Sequence, residues 1–481
     1  MVRVIRIKGI IPHIESIYTI YCSVLLFAQS IFDYFVCFKN VSLKIHLFAE
    51  NLAPTRDQLL TLLATDRSKF GASVFENYEE LVDIYEARAL STQDFHRYSL
   101  FLLEYVWEKL HTGHWKNVAS CWRVLYASVR LIRALYAVYK LDSSVSRTNV
   151  IDHLKLALED LDYGLLMGYP IFDNVLSTLA SFLHNQLTCL EPLPEISHDF
   201  ITFANVSSSK IPTLNDICCS MDMKLTPLER IYRPSLERFQ ELLRVGRPFI
   251  LTGAMTHWPA CRLEGERAWS IEYWRHKVGY RLVPIELGSR YTDESWGQDL
   301  MTINRFIDEF VVPVGQNGLA NGPPIGYLAQ HQLFLQIPEL GEDVYTPDYC
   351  LINGEEFCEE SSVDSNVWFG PANTVSPLHH DSDRANLLTQ IAGRKYIVLY
   401  PASETPYLYP HPEPMLCNTS QVDVEHPDWK EYPQFLMANG FHGILESGEM
   451  VFIPPRFGCI LVFHNEDVCN QLQTLINKFT I

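Results

Sequence analysis

From about residue 51 to 190, apolar positions recur at helical spacing. Trp122, Leu125, Val129, Ile132 and Tyr136 fall three or four residues apart, as do Ile151, Leu154, Leu158 and Leu161. Each set lines one face of an amphipathic helix. His111-Thr-Gly-His114 and Leu141-Asp-Ser-Ser144 interrupt the pattern and predict turns, so a bundle of paired helices follows for 51–190. Residues 191–228, with Pro192, Pro194, Ser207-Ser-Ser209 and Pro212, read as a linker. Beyond them the period shortens to apolar runs bounded by turn residues: Arg247–Thr252, Arg281–Glu286, Gly326–Gln330 and Val367–Phe369. Leu387–Ile391 turns through Ala392-Gly393 into Tyr396–Tyr400, which predicts a hairpin; Thr302–Phe310 predicts a short helix, and Leu472–Lys478 reads as a second one. Many short strands with few helices predict a double-sheet jelly roll over 229–481. The expected fold class is α+β and multidomain, a helical bundle followed by a double-stranded β-helix.

Composition changes this picture at three points. The 481 residues are 47% hydrophobic, enough for a core in each domain. A net charge of −19 argues against direct nucleic-acid binding and favours basic partners. The 12 cysteines include no C-x-x-C pair, so neither a zinc ribbon nor a disulfide scaffold is indicated, and reduced thiols in the nucleus and/or cytoplasm are expected. Residues 1–50 are atypical. Ser16–Phe32 is uncharged and follows Arg3, Arg6 and Lys8, but its 17 residues are short for a span and diluted by Tyr18, Tyr21, Gln29 and Ser30. Membrane attachment is therefore not expected.

The candidate chemistry sits in Ser376-Pro-Leu-His379-His380-Asp381, followed by Asn386 and by Gly393-Arg-Lys395-Tyr. A His-x-Asp pair at a strand end places His379 and Asp381 on one side of a loop, where an imidazole and a carboxylate grip one metal ion. These are two thirds of a 2-His-1-carboxylate triad for Fe(II). Lys395, on the following strand, then holds the far carboxylate of an acid co-substrate. The strand expected to bring a second histidine reads Gly448-Glu-Met-Val-Phe-Ile-Pro-Pro-Arg-Phe-Gly-Cys459, with a cysteine at that ligand's place. Trp368, just before the metal strand, is either a wall of the substrate pocket or a core tryptophan.

Over residues 95–457 the chain resembles the JmjC-domain oxygenases, whose catalytic domain is a cupin-like jelly roll. The resemblance is carried by Trp107-Glu-Lys-Leu-His-Thr-Gly-His-Trp115, Gly164-Leu-Leu-Met-Gly168, Gly288-Ser-Arg-Tyr-Thr-Asp-Glu294, Tyr327-Leu-Ala-Gln-His-Gln-Leu-Phe334, Ile337-Pro-Glu-Leu340, Trp368-Phe-Gly-Pro371 and Asn418-Thr-Ser-Gln-Val-Asp-Val424. It implies Fe(II) and 2-oxoglutarate as cofactors, with succinate released as a C–H bond of the target is oxidised. By position it assigns Ser376, Asn386 and Tyr327 to co-substrate hydrogen bonds, and Glu286 and Ser289 to the substrate side chain. It implies a protein or peptide substrate with a basic target, an arginine to be hydroxylated or a methyl-lysine to be demethylated, and chromatin or ribosomal proteins as partners. From His379 to Asn386 this chain carries one residue more than the family spacing, in Ser382–Ala385, which is expected to shift Asn386.

After Phe457 the likeness stops, and three accounts stand open: an error of gene assembly, a catalytically dead peptide binder, or replacement of the missing ligand by Cys459 or, five residues on, His464. Read literally, the chain is expected to bind Fe(II) weakly and to turn over little 2-oxoglutarate.

Overall fold

The structure is a computed structural model. It describes residues 41–88, 92–114, 117–141, 146–191, 224–262, 265–288, 296–312, 325–353, 356–357, 363–371, 374–381, 384–414, 416–424, 426–462 and 471–479. Two compact units divide between Pro192 and Leu193. The uncharged run at 16–32 lies outside the described residues, as does all of the expected linker except its ends. No helix among the described residues is long and apolar enough to cross a membrane.

The first unit is helical: α1 (41–52), α2 (Arg56–Ala64), α3 (Arg67–Phe70), α4 (Ala72–Glu86), α5 (Thr92–Leu110), α6 (Ser120–Tyr139), α7 (Arg147–Met167) and α8 (Val175–Leu190). The stripes read from sequence are its core, since Leu125, Val129, Ile132, Ile151, Leu154, Leu158 and Leu161 are all buried. Thr55 and Gln58 form a capping box that starts α2. The Gly164…Gly168 motif has a packing cause. A Cβ on Gly164 would meet Leu176 at 2.3 Å, and one on Gly168 would meet Ala127 at 2.7 Å, so both glycines let α7 approach its neighbours closely. Asp160 accepts from Arg130 Nη1 (2.5 Å) and Arg133 Nε (3.0 Å), locking α7 to α6.

The second unit is two facing sheets. One has the order β1 (Lys224–Pro227), β13 (Asn439–Leu445), β12 (Lys395–Tyr400), β15 (Gly458–Val462) and β10 (Val375–His380). The other runs β2 (Arg230–Tyr232), β3 (Phe249–Thr252), β14 (Glu449–Ile453), β11 (Ala385–Ala392), β16 (Gln471–Phe479), β9 (Asp364–Gly370), β6 (Gly326–His331), β4 (Leu282–Leu287) and β5 (Gly297–Thr302). A small hairpin joins β7 (Ile352–Asn353) to β8 (Glu356–Phe357). Leu388, Ile397, Leu399, Leu445, Val451 and Ile453 fill the space between the sheets. On the outer face of the larger sheet, α9 (Leu236–Val245) and α10 (Ile271–Val278) pack with Trp258, Phe306 and Phe369.

Three expectations are corrected. The end of the predicted linker, Lys224–Pro227, is strand β1, paired in parallel with β13. Leu387–Ile391 and Tyr396–Tyr400 are strands but not a hairpin; β11 and β12 lie in opposite sheets, and the chain crosses between them at Gly393 (φ +79°). Every residue of both strands is buried. A paired hairpin exposing one face would not bury both strands so fully, whereas a roll covers the two faces of each. Leu472–Lys478 is not helical: Gln471–Phe479 forms β16, antiparallel to both β11 and β9. Two open strand edges flank this segment, and satisfying their backbone groups outweighs weak local helix preference.

Candidate functional site

His379 and Asp381 lie at the end of β10, next to a register shift between Ser376 and His379. Pro377 sits inside that shift and has no N–H to give to the ladder. Its carbonyl accepts a 2.7 Å hydrogen bond from His379 Nδ1. A carbonyl only accepts, so Nδ1 is the donor in this contact. The backbone of His380 is held on both sides: its N–H donates to Asn418 O (2.9 Å), and Asn418 Nδ2 donates to its carbonyl (3.1 Å). Asp381 is exposed, and its Oδ2 accepts from Asn386 Nδ2 at 2.5 Å. The extra residue before Asn386 is thus accommodated with the amide on the Asp381 carboxylate, an orienting contact. Arg384, inside the lengthened loop, donates to Asp364 at 3.0 Å.

The expected co-substrate residues lie further into the roll. Lys395, at the start of β12, is only 1% exposed, so it is no surface hairpin lysine. Tyr327 is buried, and Gly370 makes room for its ring, since a Cβ there would approach it to 2.6 Å. Burial lifts the Tyr327 hydroxyl well above its usual range; the Glu286 charge adds to this and a hydrogen bond with Ser376 opposes it. Tyr327, Ser376 and Glu286 therefore share one neighbourhood, with Glu286 the cross-strand partner of Tyr327. Glu286 accepts from Trp296 Nε1 at 3.4 Å. Burial raises its carboxyl above the ordinary value and the indole N–H partly offsets this. Trp368 is half-buried against the apolar filling between the sheets, so it packs on the core while bordering the interior.

Ser289 and His464 lie outside the described residues. Cys459 is in β15, and its backbone is the register partner of both His379 and Leu399. Among the described residues no group of three His, Cys, Asp or Glu side chains is arranged to hold a metal. Sequence reasoning missed Asn418, Trp296 and the Arg384–Asp364 pair. Asn418 opens the motif Asn418–Val424 but was given no role there, Trp296 lies just after the motif Gly288–Glu294, and the ion pair spans 20 residues that no local pattern connects.

Residues 234–457 match the family model described as a Cupin-like domain. The chain is 41% identical over 356 residues to lysine-specific demethylase 8 of Danio rerio, covering 73% of this chain and 81% of that protein. It is 34% identical over 368 residues to lysine-specific demethylase JMJ30 of Arabidopsis thaliana (73% and 79%) and 32% over 365 residues to Jumonji C domain-containing protein 5 of Drosophila melanogaster (74% and 81%). The chain belongs to the JmjC-domain family. JmjC proteins are oxygenases that generally use Fe(II) and 2-oxoglutarate. Against that requirement the donor set among the described residues is incomplete. His379 and Asp381 suit two positions of a facial triad, but the register position opposite His379 carries a cysteine where the triad needs an imidazole. The keto acid is better matched, with one buried ammonium and two hydroxyls.

Proposed function

We propose that this chain descends from peptidyl-arginine hydroxylases of the JmjC family, binds 2-oxoglutarate and an arginine-bearing peptide in its roll, and is impaired in oxidation by Cys459. The observation that carries the arginine reading is Glu286, a largely desolvated carboxylate beside Tyr327 that accepts a long, 3.4 Å contact from the Trp296 indole. A guanidinium meets such a carboxylate with two parallel hydrogen bonds and removes the desolvation penalty that raises its pKa. Lys395 takes the far carboxylate of 2-oxoglutarate, while the Tyr327 and Ser376 hydroxyls bond to the same group. Asn386 orients Asp381. Chromatin or ribosomal proteins in the nucleus or cytoplasm, rich in arginine, fit a chain of charge −19.

Methyl-lysine demethylation is the second reading, motivated by the names of the two relatives called lysine-specific demethylases. A third is peptide binding without reaction, motivated by Cys459. Mass spectrometry of a Cys459→His protein with 2-oxoglutarate, Fe(II) and matched peptides separates these. Hydroxylation leaves one oxygen atom on arginine, and demethylation releases formaldehyde. Formaldehyde from methyl-lysine peptide with an unmodified arginine peptide overturns the arginine reading.

A further inference from the structure

A cleft of about 260 Å³ opens beside the entrance to β9, with Phe334, Leu335, Val344, Tyr345, Val363 and Asp364 among its walls. Leu335 is 69% exposed and Tyr345 45%, so the cleft presents apolar surface to solvent. The wall is not a floppy acidic loop. Asp343 is fully buried and accepts from Arg267 Nε (2.7 Å), Trp269 Nε1 (3.0 Å) and Tyr273 Oη (2.6 Å), which fixes Val344 and Tyr345 in place. The cleft also adjoins the metal-ligand end of the roll. Asp364, Asn477 and Asn386 form one register row across β9, β16 and β11, and Asn386 holds Asp381. Two inter-strand steps put Asp364 about 10 Å from Asn386, close to the length of three extended residues.

We infer that this cleft seats an apolar side chain of the substrate peptide, about three residues from the target arginine. The inference rests on the arginine reading for the identity of the target. Its occupant is a basic peptide carrying Leu, Ile, Met or Phe at that distance. The segment 341–367 holds eight acidic and no basic residues; Asp343 and Asp364 are paired with Arg267 and Arg384, and the other six attract basic flanks, while the walls reward an apolar anchor.

The test is binding, so it does not depend on iron chemistry. Fluorescence anisotropy with the full chain and 2-oxoglutarate compares labelled peptides having one central arginine and a single leucine moved along an otherwise Ser/Gly/Lys sequence. The expected result is a gain of about tenfold for leucine near the third residue on one side. Leu335→Glu and Tyr345→Ala abolish that gain, and both positions are exposed enough to leave the fold intact. Equal affinity at every leucine position, with loss on Arg→Ala in the peptide, overturns the cleft assignment and leaves the arginine reading standing. A leucine gain that survives Arg→Ala and disappears in Leu335→Glu keeps the cleft and overturns the arginine reading. Absence of binding by every peptide overturns both.

Discussion

Cys459 stands directly across from His379 in the antiparallel pair β10–β15. Directly opposed residues of an antiparallel pair have Cβ atoms about 4.5–5.5 Å apart, so this is the backbone position from which a second imidazole would complete the site. The backbone is in place and the side-chain chemistry is not. Replacing Cys459 by His is expected to tighten Fe(II) binding by more than about 100-fold, since even outer-sphere partners of metal ligands are worth 10–100-fold. It should also turn a negligible succinate signal into a clear one. Metal titration against a chelator and succinate release measure the two effects separately. Robust succinate formation by the unsubstituted chain would show that the cysteine is no obstacle.

Lys395 gives a second measurement. At 100 times its Kd, a ligand stabilises the folded state by about 2.7 kcal/mol, which moves the Tm of a unit this size by roughly 5 °C. The native chain should show that shift with 2-oxoglutarate in the absence of iron. Lys395→Met should lose it, because a buried thioether offers the carboxylate no charge and no donor. An undiminished shift in Lys395→Met would remove Lys395 from the co-substrate pocket.

How far the fold was legible follows from which forces are local. The stripes of α6 and α7 are buried as their spacing predicts, because a helix buries whatever face its sequence makes apolar. Strands β3, β4, β6 and β9 fall on the runs read from sequence, give or take a few residues. Partner choice was not legible: β11 and β12 look like a hairpin and belong to opposite sheets, and Leu472–Lys478 becomes a strand only because β9 and β11 leave two edges to fill. The site divides the same way. The His379–Asp381 spacing is local chemistry, whereas the Glu286–Tyr327 pairing and the Arg384–Asp364 ion pair need the finished sheet. Asp343 shows the limit most plainly, since composition made it one of eight acidic residues and the fold made it a buried anchor.

That anchor predicts a stability effect. Asp343→Ala leaves the Trp269 indole and Tyr273 hydroxyl without their acceptor, and a buried donor left unsatisfied costs about 1–3 kcal/mol. Arg267 is half-exposed and recovers solvation, so it adds little. Urea unfolding should show a loss in that range with an unchanged slope, together with weaker binding of leucine-bearing peptides. A variant as stable as the native chain would mean that these contacts do not hold the cleft wall.

Glu286 ties pH to both stability and binding, with opposite signs. Burial raises its carboxyl above the ordinary 4.5, against the opposing indole contact of Trp296. The folded state then holds this proton more tightly than the unfolded chain does. Its contribution to stability is present below about pH 4.5 and is lost as pH rises through the raised value. A guanidinium requires the ionised form, so affinity for an arginine peptide should rise over the same interval. Glu286→Gln removes the titration, flattening the affinity profile and lowering affinity at neutral pH by about tenfold or more, as expected for a lost charge-assisted pair. Peptide titrations of both proteins from pH 4.5 to 8, each followed alongside thermal unfolding, read the two slopes. If Glu286→Gln keeps the native rise in affinity, the carboxylate that meets arginine lies elsewhere in the roll.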